Sequence, residues 1–278
     1  MKNYINEDKM SEDMHYCSDE EAVVVVEKVS KKFTRSLRRS LLYASVDILQ
    51  ALMPIFSPKI RDDTPVSLRT GEFLALDKIS FRLKKGDSLA LLGVNGSGKT
   101  TLLRLIYGIY PFDRGRIEVR GRIGALLAAG VGFHPQMTGR ENIYVNGAIL
   151  GMSKEEIDRH FDDILQFADI AEFIDAPSGT YSSGMRVRLG FSIVIHADVD
   201  VLIADEVLAV GDGAFREKCF TRIDELKARG VSIIFVSHAL NQVSRVCEKS
   251  LYLQKGKMIA FGDTEEILAL YMADNPGV

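Results

Sequence analysis

Residues 93 to 100 read GVNGSGKT, a spacing that satisfies G-x-x-x-x-G-K-[ST] between a strand-like run and an apolar helical pattern. Gly93, Gly96 and Gly98 admit backbone angles and a close approach that side chains would block. The N–H groups of Val94, Asn95 and Ser97 and the start of the following helix can then surround β- and γ-phosphates. Lys99 adds a point charge, and the Thr100 hydroxyl can ligate Mg²⁺. The bland alternative is a chance glycine turn before a helix, and the Lys-Thr ending argues against it.

A phosphate loop of this kind needs a second metal anchor at the end of another strand, and VLIADE at 201 to 206 supplies it. Asp205 would hold Mg²⁺ directly or through water, and Glu206 could orient or deprotonate an attacking water. His238, closing VSIIFVSH at the expected sheet edge, is a candidate γ-phosphate contact. Residues 180 to 188, TYSSGMRVR, form a polar cluster ahead of an apolar run. Arg186 and Arg188 stand there at the start of an expected helix, where the dipole favours acids, which points to a nearby anion.

These residues need a scaffold. With 278 residues, 46% of them apolar, the chain can bury a substantial core, and its net charge of −3 gives no general basic footprint for nucleic acid. Residues 1 to 21 carry seven acids against Lys2 and Lys9, so an acidic, disordered tail is expected before a fold that starts at AVVVV. The runs in FLALDKISFRLKKGDSLALLG flank a KKG turn, and the second leads into the glycine loop and the helical pattern TLLRLIYGIY. SKEEIDRHFDDILQFADIAEFI suggests a capping box at Ser153 and Glu156, with Ile157, Phe161, Ile164, Leu165 and Ala168 on one face. DVLIAD and VSIIFVSH read as buried strands, and SLYLQKGKMIAFG as a hairpin turning at Lys255 and Gly256. One α/β domain with a helical insert follows, ending near Tyr271 with a short tail, 271–278. Cys17, Cys219 and Cys247 lie far apart, indicating neither a disulfide framework nor a zinc site. The N-terminus lacks the apolar segment of a signal peptide, and no run reaches the roughly 18 residues that span a bilayer.

Residues 34 to 71 form an insert that no nucleotide site requires. Leu37, Leu41, Ile48, Leu49 and Leu52 recur at helical spacing, with Arg35, Arg38 and Arg39 at the N-terminal end and Pro54 closing the pattern. Such a stretch, 35–56, can lie on an anionic membrane surface or pack on the protein's own sheet.

In this order and spacing GVNGSGKTT, YSSGMRVRLGFS, VLIADEVLAVGD and VSH resemble the ATP-binding cassette (ABC) ATPases over about residues 22 to 270. FHPQMTGRENIYVNGAILG and DEVLAVGDGAFREKC look most like the ATPase subunits of bacterial polysaccharide exporters, those for O-antigen, capsule and teichoic acid. The resemblance implies an α/β P-loop fold with a RecA-like core, an antiparallel β subdomain and a helical subdomain at about 137–197. It implies ATP and Mg²⁺ as ligands, with Phe33 stacking on adenine, Thr101 as a second phosphate-contacting hydroxyl, Asp212 in the loop between two ATP sites, and His238 as the switch histidine. Tyr181 to Met185 align with the signature LSGGQ, of which Ser182 and Gly184 are retained to face the γ-phosphate of a second chain. The usual glutamine before the helical subdomain has no match, since the alignment falls nearer Ala128 than Gln136. The implied assembly is a homodimer beneath two copies of a separate permease, peripheral on the cytoplasmic face of the bacterial inner membrane, exporting a lipid-linked polysaccharide. The alternatives are export of another substrate and a soluble, non-transport cassette ATPase.

Overall fold

The strand β3 (Ser88–Leu92) is buried at every residue and occupies the middle of a six-stranded sheet. Its neighbours β7 (Ser232–Val236) and β8 (Lys249–Gln254) both run parallel to it. The computed structural model describes residues 18, 20–36, 38, 41–43, 67–126, 132–205 and 213–276. Most of the expected acidic tail, the centre of the insert, Ala128, Glu206 and Asp212 lie outside them.

The sheet order is β5-β6-β7-β3-β8-β9, with β5 (Ile123–Ala125) and β6 (Val201–Asp205) parallel and β9 (Lys257–Asp263) the antiparallel edge. Both faces are covered, which explains the continuous apolar runs SLALL, VLIAD and SIIFV. The pleat divides them: Leu89, Leu91, Ile234 and Val236 enter one core, Ala90, Leu92, Ile233 and Phe235 the other.

The first of these cores lies beneath a second sheet, three-stranded and antiparallel, in the order β2-β1-β4. Its strands are β1 (Ala22–Thr34), β2 (Glu72–Lys84) and β4 (Arg114–Val119). The two runs flanking KKG are thus not a hairpin. β2 and β3 belong to different sheets, and residues 85–87 carry the chain between them. The insert leaves and returns through a paired mouth: Thr34 is the cross-strand partner of Glu72, and Arg35 donates its N–H to Gly71 O at 3.0 Å.

The helix after the glycine loop, α1 (Lys99–Ile106), is shorter than its apolar pattern suggests. Gly108, at φ +80°, donates to Leu105 O, and Ile109 donates to Arg104 O, the paired bonds of a Schellman stop.

The helical subdomain consists of α2 (Gly139–Ile149), α3 (Lys154–Ala168) and α4 (Ser183–His196). Capping boxes form at Thr138 with Glu141 and, as the sequence suggests, at Ser153 with Glu156. Ile157, Phe161, Ile164 and Ala168 are buried, and Leu165 is half-buried against the same core. Asn142 is fully buried and serves as a hub. Its Nδ2 donates to Thr138 O at 2.9 Å and Ser178 Oγ at 3.2 Å, while its Oδ1 accepts from His134 N at 2.8 Å.

After β6 come α5 (Gly213–Ala228), α6 (Leu240–Val246) and α7 (Thr264–Asp274). The last helix continues past the boundary expected near Tyr271, whose buried ring meets Tyr252 edge-on at 5.3 Å. Cys219 and Cys247 are free and buried, and burial pushes both thiols up, Cys219 to about 12. Among the described residues no helix is long and apolar enough to cross a membrane.

Candidate nucleotide site

The phosphate loop bridges β3 and α1, and its three glycines meet three different demands. Gly93 (φ +147°) backs onto the protein, where a Cβ would come within 2.3 Å of Leu253 O. Gly98 (φ +113°) is pressed between Leu76 and Ala75 O, at 2.7 and 3.0 Å from such an atom. Only Gly96 (φ +79°) faces open space. Two of the three glycines therefore shape the loop from behind, and one leaves room for a ligand.

Lys99, the first residue of α1, is buried and folds back so that Nζ donates to Gly93 O and, at 3.2 Å, to Val94 O. Gly98 provides no side-chain cap, so the leading N–H groups of α1 open toward whatever fills the loop. Among the described residues the buried Ser97 Oγ has no hydrogen-bond partner. A curled loop, an uncapped helix start and a buried ammonium together form a cradle for an anion.

The cradle opens into a cavity of about 570 Å³, within the range of small-ligand sites. Asn95, Gly96, Ser97, Gly98, Lys99, Thr100 and Thr101 line it, together with Asp205, His238 and Phe33. Thr100 and Asp205 bring hard oxygen donors to the same space, suited to a Mg²⁺ that also keeps waters and phosphate oxygens. Asp205 ends β6 opposite Val236 of β7, two residues before His238, so adjacent parallel strands deliver both side chains to one edge. Gly93 and Val94 do not line the cavity.

Phe73 and Lys255 are among the lining residues that sequence reasoning missed. Phe73 on β2 is the cross-strand partner of Phe33, with ring centroids 6.3 Å apart, and Lys255 sits at the tip of the β8–β9 hairpin. Phe33 also meets Tyr110 edge-on at 5.6 Å, which fixes its ring. Aromatic side chains facing each other across the 38-residue insert leave no local signal; the β1–β2 register exposes the pair.

Ser182 and Gly184 are not among the cavity's lining residues. Ser182 is the N-cap of α4, accepting from Met185 N at 3.1 Å, and its hydroxyl hydrogen remains available to donate. At Gly184 a Cβ would meet nothing closer than Ser182 Oγ, 3.8 Å away. Tyr181 is buried, donates to Phe173 O at 2.6 Å, and burial pushes its phenol up. The two arginines at this helix start have protein partners rather than requiring a ligand: Arg186 donates to Tyr181 O at 2.8 Å, and Arg188 pairs with Asp169 at 3.7 Å. Gln136 lies in an exposed turn.

Residues 76–209 match the family model described as ABC transporter. The O-antigen export system ATP-binding protein RfbB of Klebsiella pneumoniae is 43% identical over 204 residues, 73% of this chain and 83% of that protein. The chain belongs to the ABC transporter family. Within that family it is an ABC-type ATPase whose nucleotide is ATP. The ABC transporter protein AbcA of Aeromonas salmonicida is 43% identical over 90% of this chain and 76% of its own. The teichoic acids export ATP-binding protein TagH of Bacillus cereus is 42% identical over 72% of this chain but only 36% of its own length. The ABC fold is shared with a solved ATP-binding subunit of an ABC transporter, at TM-score 0.70 and 19% identity over 90% of this chain and 93% of that one. It is shared too with a dimeric cassette solved with ADP and Pi, at TM-score 0.65 and 19% identity over 87% and 98%.

Proposed function

We propose that this ABC ATPase is the energising subunit of an exporter for a lipid-linked polysaccharide, and that it works as a homodimer beneath two copies of a separate permease. The observation that carries the two-chain site is the separation of its halves. Phe33, the phosphate loop, Asp205 and His238 meet around one cavity, while Ser182 and Gly184 stand outside it at the start of α4, with the hydroxyl and backbone of the signature open. The substrate class rests on the relatives, named for O-antigen and teichoic acid export.

In this reading the loop N–H groups and Lys99 hold the β- and γ-phosphates, with Thr101 as a further hydroxyl, and Thr100 and Asp205 hold Mg²⁺. Phe33 stacks on the base. Glu206, next in the chain after Asp205, aligns the attacking water and takes its proton, and His238 contacts the γ-phosphate. Ser182 and Gly184 of the second chain close the cage, and Asp212 links the two sites. Bound ATP with its Mg²⁺ supplies the phosphoanhydride whose cleavage lets the chains part.

The assembly sits on the cytoplasmic face of the membrane. The start of the insert suits such a surface: Leu41 and Leu42 are 65% and 63% exposed, close in sequence to Arg35 and Arg38. Sedimentation with vesicles containing phosphatidylglycerol is expected to weaken when Arg35, Arg38 and Arg39 are all replaced by Ser; unchanged binding would assign the insert to protein contacts.

The central test is Glu206→Gln in the assembled transporter. Turnover is expected to fall at least about a hundredfold while ATP still binds and the two chains stay joined. Near-normal turnover, or failure of the chain to co-purify with a permease, would remove the reading.

A further inference from the structure

We propose that Lys255 is a nucleotide-binding residue, a second cation that contacts the phosphates of the ATP held by the phosphate loop. The proposal rests on the cavity being the nucleotide site. Lys255 and Gly256 form the two-residue turn between β8 and β9, with φ of +49° and +78°, the geometry of a type I′ hairpin. This turn is bonded directly into the site. Gly256 donates to Ser97 O at 2.9 Å, within the phosphate loop, and accepts from Asp77 N at 2.8 Å on β2. A Cβ at Gly256 would lie 2.6 Å from Ala75 O, so only glycine lets the tip approach this closely. The preceding residue is thereby carried to the cavity wall, where Lys255 lines the same space as Lys99 and Asp205.

The choice of residue argues for a ligand. The first position of a type I′ turn favours Asn, Asp or Gly, which tolerate positive φ. Asp here would set a second carboxylate beside Asp205 in a cavity built for a polyanion; a lysine reverses that charge at some conformational cost. Its neighbour Lys257 lies 3.9 Å from Asp77, whereas among the described residues Lys255 has no ion pair, which leaves its ammonium for an arriving phosphate. Among the described residues that line the cavity, Lys99 is the one other lysine or arginine.

Calorimetric titration of the full chain with ATP, with magnesium chelated so that no hydrolysis occurs, tests this. Lys255→Asn keeps a residue that suits the turn and removes the charge, so folding is preserved, and an unchanged melting temperature without nucleotide verifies it. ATP affinity is expected to fall about five- to tenfold, the scale of one solvent-facing charged contact. Lys255→Arg is expected to stay within about twofold of the native chain on the same scale. Native affinity in Lys255→Asn, or a loss that Arg does not restore, overturns the contact. Lys99→Ala separates the two levels: if it loses ATP while Lys255→Asn does not, the site stands and the proposal falls. If neither variant loses ATP, the reading of the cavity falls, and the contact with it.

Discussion

The amide of Asn142 donates to Ser178 Oγ at 3.2 Å, tying the first turn of α2 to the segment that leads into Ser182. The same nitrogen reaches Thr138 O, and the side-chain oxygen holds His134 N, so one buried residue fastens backbone at two positions and the Ser178 side chain on the approach to α4.

Replacing Asn142 by Ala strands several of these groups away from water. The expected loss is about 2–3 kcal/mol of stability, read from urea unfolding monitored by circular dichroism. A change below about 0.5 kcal/mol would mean that the hub carries no load.

Ser182→Ala and Gly184→Asp separate binding from turnover. The serine variant loses a helix cap worth about 1 kcal/mol, and the aspartate variant has room to fold. Both are expected to bind ATP like the native chain, because neither residue lines its own cavity, yet to slow turnover in the assembled dimer at least about tenfold. Turnover assays of mixed dimers, pairing one such chain with one Lys99→Ala chain, check the arrangement: if both defects fall on the same site, the other is left whole.

Phe33→Ala removes the fixed ring of the Phe33–Phe73 pair. ATP affinity should weaken by about 1–3 kcal/mol, the scale of a lost base–aromatic stack, and Phe33→Tyr should preserve it. Equilibrium dialysis with labelled ATP measures both.

Burial raises the Cys219 and Cys247 thiols far above neutrality, so little thiolate is available at pH 8. Iodoacetamide should leave both unmodified in the native protein and alkylate both in urea, as mass spectrometry of the digested peptides would record.

Much of this architecture is legible in the sequence where a local rule governs it. β3, β6 and β7 announce themselves as continuous apolar runs because helices and a second sheet cover both faces. The capping box at Ser153 is legible because four consecutive residues satisfy it. What escapes depends on distance. The separation of β2 and β3 into different sheets hides behind a turn that looks like any hairpin, and Phe73 becomes part of the site only through pairing with β1. Lys255 reads as a turn residue until Gly256 is seen bonded to Ser97. The end of α1 is a subtler case, since its apolar pattern continues beyond the glycine that stops the helix.

The paired mouth at Thr34 and Glu72 has a consequence for how such a chain could acquire new attachments. Because the two stems are already joined across the β1–β2 ladder, lengthening what emerges between them adds little closure entropy and leaves the strand register untouched. The mouth therefore works as a grafting port, where a membrane-directed or permease-directed segment can be exchanged or redesigned while the nucleotide machinery beneath is inherited unchanged.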